Sequence, residues 1–209
     1  MFKFKKLLED NGHTVIPFST QNSKNVPSDY ASYFAKGRSK NDAVLFDNIK
    51  KTPGNVYRMV AGAFYNPDAK RHLARLLKDE KPDLMFVLQE MNALSPSIFD
   101  AAKRAGVPVI YRQSDFHLFC PRYDCLKNGS PCTECLEKKS FRPAMKNRCV
   151  KNSFSATAVR CESMKFHQRH HLFDSVSAFV APSAFTCRLL AQSGLPEEKI
   201  NHIPTFVDT

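Results

Sequence analysis

Four short apolar runs, set apart by segments of helical periodicity, constrain this chain more than any other feature. They are His13-Thr14-Val15-Ile16-Pro17-Phe18, Leu84-Met85-Phe86-Val87-Leu88, Val107-Pro108-Val109-Ile110-Tyr111 and Ala178-Phe179-Val180-Ala181. Runs this short and this apolar suit strands buried on both faces. The segments around them read as helices. Phe2 to about Asp10 puts Phe4, Leu7 and Leu8 on one face and stops at Asn11-Gly12. Lys70 to Lys81 turns Leu73, Leu76 and Leu77 inward and ends at Lys81-Pro82-Asp83. Ser95-Pro96-Ser97 opens a helix, by a small capping residue and a first-turn proline, that runs to about Arg104 and closes at Ala105-Gly106. Further helices are expected from Ser153 to about His170 and from Pro182-Ser183 to Ser193-Gly194, before the tail Ile200-Asn201-His202-Ile203-Pro204. Ser19 to Asn41 is polar and has no clean period. Strand and helix in alternation predict an α/β, Rossmann-like fold. Its parallel sheet has strands near 14–18, 84–88, 107–111 and 178–181, with helices on both faces.

The chain has 209 residues, enough for one such domain and short for two. No apolar run reaches about 18 residues, so no membrane-spanning helix is expected. The start, Met1-Phe2-Lys3-Phe4-Lys5-Lys6-Leu7-Leu8, mixes charge with apolar residues, unlike a secretory leader. The expectation is a cytoplasmic protein whose seven cysteines are thiols rather than a disulfide scaffold.

In parallel sheets, ligands sit beyond the carboxyl ends of the strands. The relevant loops here follow Phe18, Leu88, Tyr111 and Ala181. No G-x-G-x-x-G or Walker pattern occurs, which argues against the usual dinucleotide and nucleoside-triphosphate sites. After Tyr111 come Ser114, Asp115 and His117; after Leu88 come Gln89 and Glu90. Asp115 is placed either to orient a substrate hydroxyl and assist its deprotonation, or to cap its own loop. Ser114 can donate a hydrogen bond to a sugar or phosphate oxygen. Glu90 is either a functional acid or a solvated glutamate at a strand end.

Formal net charge is +11, which favours anionic partners. Between 138 and 169 stand Lys138, Lys139, Arg142, Lys146, Arg148, Lys151, Arg160, Lys165 and Arg169, opposed only by Glu162. The run is a solvated face, a phosphate-facing surface or a basic patch for an anionic membrane. Nucleic-acid binding ranks lower, because the aromatics form no stacking stripe. Five cysteines cluster as Cys120-x4-Cys125-x6-Cys132-x2-Cys135-x13-Cys149. One C-x2-C chelate with flanking cysteines suits a structural tetrathiolate zinc; the alternative is reduced thiols in a surface loop.

Several stretches, in order along nearly the whole chain, resemble the amino-terminal domain of family 4 glycosyltransferases. They are Leu7-Leu8-Glu9-Asp10-Asn11-Gly12-His13-Thr14-Val15, Lys81-Pro82-Asp83, Leu94-Ser95-Pro96-Ser97, Gly106-Val107-Pro108-Val109-Ile110, Leu118-Phe119-Cys120-Pro121, Ala181-Pro182-Ser183-Ala184-Phe185 and Ile203-Pro204-Thr205-Phe206-Val207-Asp208. The resemblance implies a GT-B enzyme that transfers a sugar from a nucleotide-sugar donor with retention. Residues 1–203 would be its acceptor-side domain and 204–209 the start of the interdomain linker. The family has a first strand and a glycine-rich loop before the helix that starts this chain, and a donor-binding domain after the linker. On that comparison the domain is incomplete, its first strand missing, with an apolar sheet edge left open; the isolated chain is expected to be inactive.

The resemblance also implies roles. Asp115 and Ser114 are the acceptor-side catalytic candidates; Gln89, Glu90, His117 and Arg160 are the acceptor-binding ones. Relatives often have His where Ser114 stands, and His and Asn where Leu88 and Gln89 stand. They commonly have cysteines matching Cys120, Cys132, Cys135 and Cys149, the expected metal ligands, which leaves Cys125 as an extra. The implied acceptor is a sugar or lipid-linked sugar, in cell-surface polysaccharide or glycolipid synthesis, with peripheral contact at the inner face of the membrane. The rival expectation is a truncated pseudo-enzyme or a non-catalytic, basic, zinc-containing binding module.

Overall fold

The computed structural model describes residues 2–37, 52–91 and 94–205. The end of the polar stretch, 38–41, and the Phe206-Val207-Asp208 part of the linker motif lie outside the described residues. Eight helices are described in chain order: α1 (Phe2–Asp10), α2 (Pro53–Phe64), α3 (Pro67–Glu80), α4 (Ser97–Ala105), α5 (Glu134–Glu137), α6 (Arg142–Lys146), α7 (Phe154–Arg169) and α8 (Ala184–Gln192). The described strands are β1 (Met85–Val87), β2 (Val109–Arg112), β3 (Leu126–Lys127), β4 (Ser130–Pro131), β5 (Ala178–Ala181) and β6 (Ile200–His202). Strands β1, β2, β5 and β6 form a parallel sheet in that order, while β3 and β4 make a two-residue antiparallel hairpin.

Register fixes what each face of the sheet buries. Tyr111 lies opposite Val87 on one side and Phe179 on the other, and Phe179 lies opposite Ile200. Residues paired across strands point the same way, so these side chains share a face. Tyr111 and Phe179 are essentially fully buried, their rings edge-on at 5.9 Å. Phe99 of α4 stands edge-on to Tyr111 at 5.9 Å on that face. Phe86, one residue out of phase, points the other way and meets Phe4 of α1 at 4.4 Å. Helices therefore cover both faces, as the alternation of apolar runs requires.

The helix ends follow local chemistry. Asn66 caps α3 by accepting from the Ala69 N–H, ahead of Pro67 in the first turn. Ser183 does the same for α8 through Thr186, and Ser153 for α7 through Ala156. Gly12, at φ +84°, lets the chain leave α1 while its own N–H bonds the Glu9 carbonyl. Leu73, Leu76 and Leu77 of α3 are buried as the spacing predicts. Ser95 is the local stop before α4, adopting φ +61°; its hydroxyl accepts from the Ser97 and Asn66 N–H groups.

Two features differ from the sequence expectation. The run 13–18 is not a strand. Pro17 has no N–H to give a ladder, and the chain instead makes one parallel bridge further on, between Thr20 and Ala35. Ile16 and Phe18 still pack on the core. The fourth strand of the sheet comes from the tail, as β6. Helix α2 had no sequence signal, because Gly54 and Gly62 dilute its period. Packing on α7 holds it: Phe64 meets Phe166 at 5.7 Å, and His167 Nε2 donates to the Phe64 carbonyl at 2.8 Å. A second small core of Phe141, Ala144, Cys161 and Met164 pins α6 to α7.

Candidate functional site

The carboxyl ends of β1 and β2 lie side by side, and the loops that leave them meet. The chain after β1 turns sharply at Glu90, whose carbonyl accepts from both Leu94 and Ser95 N–H groups at 3.0 Å. That turn aims the Glu90 side chain inward, where only 1% of the residue is exposed. The chain after β2 turns at Asp115, whose Oδ1 accepts from the His117 backbone N–H at 2.9 Å. This Asx turn carries the His117 ring into the same buried space, 4% exposed.

The result is an imidazole held between two carboxylates. His117 Nε2 lies 2.9 Å from Glu90 Oε1, and Nδ1 bonds Asp115 Oδ1. The Tyr111 hydroxyl donates to Glu90 Oε2 at 2.7 Å and lies 3.0 Å from His117 Nε2. With a carboxylate oxygen at each ring nitrogen, the doubly protonated imidazolium satisfies both. Burial pulls the His117 pKa down, but Glu90 and Asp115 outweigh it and raise the value to about 9. Burial likewise pushes both carboxyls up, and the His117 charge overrides it, so both sit below the usual carboxylate range. Burial, reinforced by Glu90, raises Tyr111 well above an ordinary phenol.

Asp115 is the member that still faces outward. Its side chain is 20% exposed, and Oδ2 accepts from Gln89 Nε2 at 3.2 Å. Ser114 is exposed beside it, its hydroxyl donating to the Leu88 carbonyl at 3.0 Å and accepting from Arg112 at 3.2 Å. Arg112 also reaches Thr205 at 2.9 Å, tying the tail to this edge. Arg160 of α7 donates to the His117 carbonyl at 3.2 Å and points at Met91 Sδ at 3.0 Å. Gln113 donates its amide to the Asp115 carbonyl; its own Oε1 is buried without a partner among the described residues.

Five of the six residues named from the sequence gather at this edge on two layers, and the sixth, Arg160, reaches them from α7 through the His117 carbonyl. Asp115, Ser114 and Gln89 form the outer layer. Glu90 and His117 lie beneath it, with their hydrogen-bonding capacity spent on each other, on Asp115 and on Tyr111. The reading of Glu90 as a solvated strand-end acid is corrected by its burial. Tyr111 and Gln113 are the participants the sequence did not single out. A tyrosine closing an apolar strand was the available signal, since a buried hydroxyl needs a partner. An ionised aspartate with depressed proton affinity, flanked by an amide and a hydroxyl, orients a hydroxyl better than it deprotonates one.

Helix α7 is not a uniform basic face. Arg160 turns inward, Lys165 pairs with Glu162 at 2.6 Å, and just past the helix end His171 Nδ1 lies 3.0 Å from an Asp174 carboxylate oxygen. His167 is buried, and burial lowers its pKa to about 4, so it stays neutral and donates to Phe64. The exposed cations stand just before α7, at Lys138, Lys139, Arg142, Lys146, Arg148 and Lys151.

Cys120, Cys125, Cys132, Cys135 and Cys149 all line one concavity, with Phe119, Leu136 and Ala144 among its other walls. All are free thiols. The Cys125 thiol hydrogen-bonds Cys120 and lowers its pKa to about 6; the same bond pushes Cys125 upward. Burial raises Cys135 to about 11 and also raises Cys149. Among the described residues, no three His, Cys, Asp or Glu side chains already stand at the spacing of one ion's ligands.

A helix-flanked parallel sheet with its polar cluster at the strands' carboxyl ends defines a Rossmann-like α/β protein. No family model matches the chain, and none of the curated proteins does. Among solved structures it is similar to the UDP-N-acetylglucosamine 2-epimerase from Rickettsia bellii, at 17% identity and a TM-score of 0.37. That likeness covers 76% of this chain and 28% of the epimerase chain.

Proposed function

We propose that this chain is the acceptor-side half of a retaining glycosyltransferase that draws on a nucleotide-sugar donor. Residues 1–203 form the acceptor domain, and donor binding belongs to a second domain reached through a linker at 204–209. The setting is cell-surface polysaccharide or glycolipid synthesis at the cytoplasmic face of the membrane; no described helix is long and apolar enough to cross it. The observation that carries the reading is the His117 imidazole clamped between Glu90 and Asp115 at the carboxyl ends of β1 and β2. It supports a role in which Asp115 Oδ2 accepts from an acceptor hydroxyl, with Gln89 and Ser114 as polar neighbours. Glu90, His117 and Arg160 act behind them as positioning residues.

The experiment is saturation-transfer NMR of the chain against soluble oligosaccharides and short-chain lipid-phosphate sugars. At least one class should bind, and Asp115→Asn should weaken it by about tenfold, the effect of losing one charge-assisted hydrogen bond. An unchanged affinity in that variant contradicts the assignment. The six cations from Lys138 to Lys151, with no acid among them, favour a second reading as a basic binding module. Steeply salt-dependent binding to a polyanion, with no sugar bound, selects it.

A further inference from the structure

The cysteine loop between β2 and α7 has a construction that the sugar reading does not use. From Cys120 to Cys135 only Pro121 and Cys125 are buried, so this stretch has almost no apolar core of its own. Its one ladder is the two-residue hairpin of β3 and β4. Tyr123, Cys125, Asn128 and Gly129 all take positive φ, winding the chain through successive tight turns. Those turns bring five thiols, from segments up to 29 positions apart, to the wall of one concavity.

We infer that this loop is a binding site for one thiophilic divalent cation of the zinc class, with Cys120, Cys132, Cys135 and Cys149 as ligands. Cys132 and Cys135 form the C-x2-C chelate, and Cys120 and Cys149 close the loop from either side. Cys125 is the one buried deepest in the main core, at 8% exposure, and is left out of the ligand set on that ground. Four thiolates around a divalent ion carry two net negative charges. Arg122 lines the same concavity, and the cations from Lys138 to Arg148 follow directly, so the surroundings offset that charge. No three thiols are yet at ligand spacing, so binding closes them onto the ion and should order the loop.

The test is titration of the full, reduced chain with cobalt(II) under argon. The expected result is the intense visible absorption of tetrahedral cobalt thiolate, saturating at one equivalent and bleached by zinc. X-ray absorption of the zinc form should give sulfur neighbours at about 2.3 Å. Cys132→Ser and Cys135→Ser should each abolish stoichiometric uptake, whereas Cys125→Ser and Cys187→Ser should keep it. A reduced wild-type chain that gives no tetrahedral cobalt spectrum overturns the inference, whatever the variants do. A spectrum that survives both substitutions in the C-x2-C pair overturns it too. Sugar binding is read separately, so either proposal can fail alone.

Discussion

Replacing His117 with glutamine removes the charge at the centre of the Glu90–His117–Asp115 cluster while keeping a side chain of similar length. The imidazole is 4% exposed, so solvent screens its pairs little. Its pKa rises from an unfolded value of 6.5 to about 9 in the fold. A raised folded pKa contributes stability that is complete below pH 6.5 and is lost as pH climbs through about 9. At about 1.4 kcal/mol per pH unit, the contribution is about 3 kcal/mol. Cys120 works in the opposite direction over much of the same range, because its folded pKa is lowered to about 6. The difference between wild type and His117→Gln, rather than the wild-type slope, therefore isolates the imidazole. Urea unfolding of both proteins from pH 5.5 to 9.5 should show the wild type ahead by about 3 kcal/mol at the acid end, with that margin gone by pH 9.5. A margin that stays constant across the range refutes the imidazolium between two carboxylates.

Tyr111→Phe deletes the hydroxyl that Glu90 Oε2 accepts from and leaves a buried carboxylate oxygen short of a partner; it should cost about 1–3 kcal/mol in denaturant unfolding, and a cost below about 0.5 kcal/mol contradicts the hydrogen bond. His167 carries the opposite sign. Burial lowers its pKa to about 4, so it should contribute stability that is present above pH 6.5 and lost as pH falls through about 4. An NMR titration giving His167 an ordinary imidazole pKa rules that out.

The sequence-level reading succeeded where a local cause dominates. The α1 stop at Gly12, the leucine face of α3 and the serine caps of α7 and α8 each depend on residues within one helical turn, and each appears in the structure. It failed where distant packing decides. His13 to Phe18 has strand composition, but a strand exists only with a partner, and Pro17 weakens the offer. Helix α2 depends on Phe166 and His167, more than a hundred residues away. The site was legible in identity because strand ends mark the loops to inspect, which brought Gln89, Glu90, Ser114, Asp115 and His117 into view. Its layering was not, since only the three-dimensional turn at Leu94 and Ser95 sends Glu90 inward.

On the proposed function, acceptor sugars meet this chain at Asp115 and Gln89. Chemical-shift mapping of the isotopically labelled chain, titrated with the oligosaccharide or lipid-phosphate sugar that binds best, tests it most directly. Saturable shifts are expected at 88–91 and 113–117, with the His117 ring signals moving as Asp115 takes up its new partner. Shifts confined to the basic segment 138–151, or a set that leaves both strand-end loops unmoved, would contradict it.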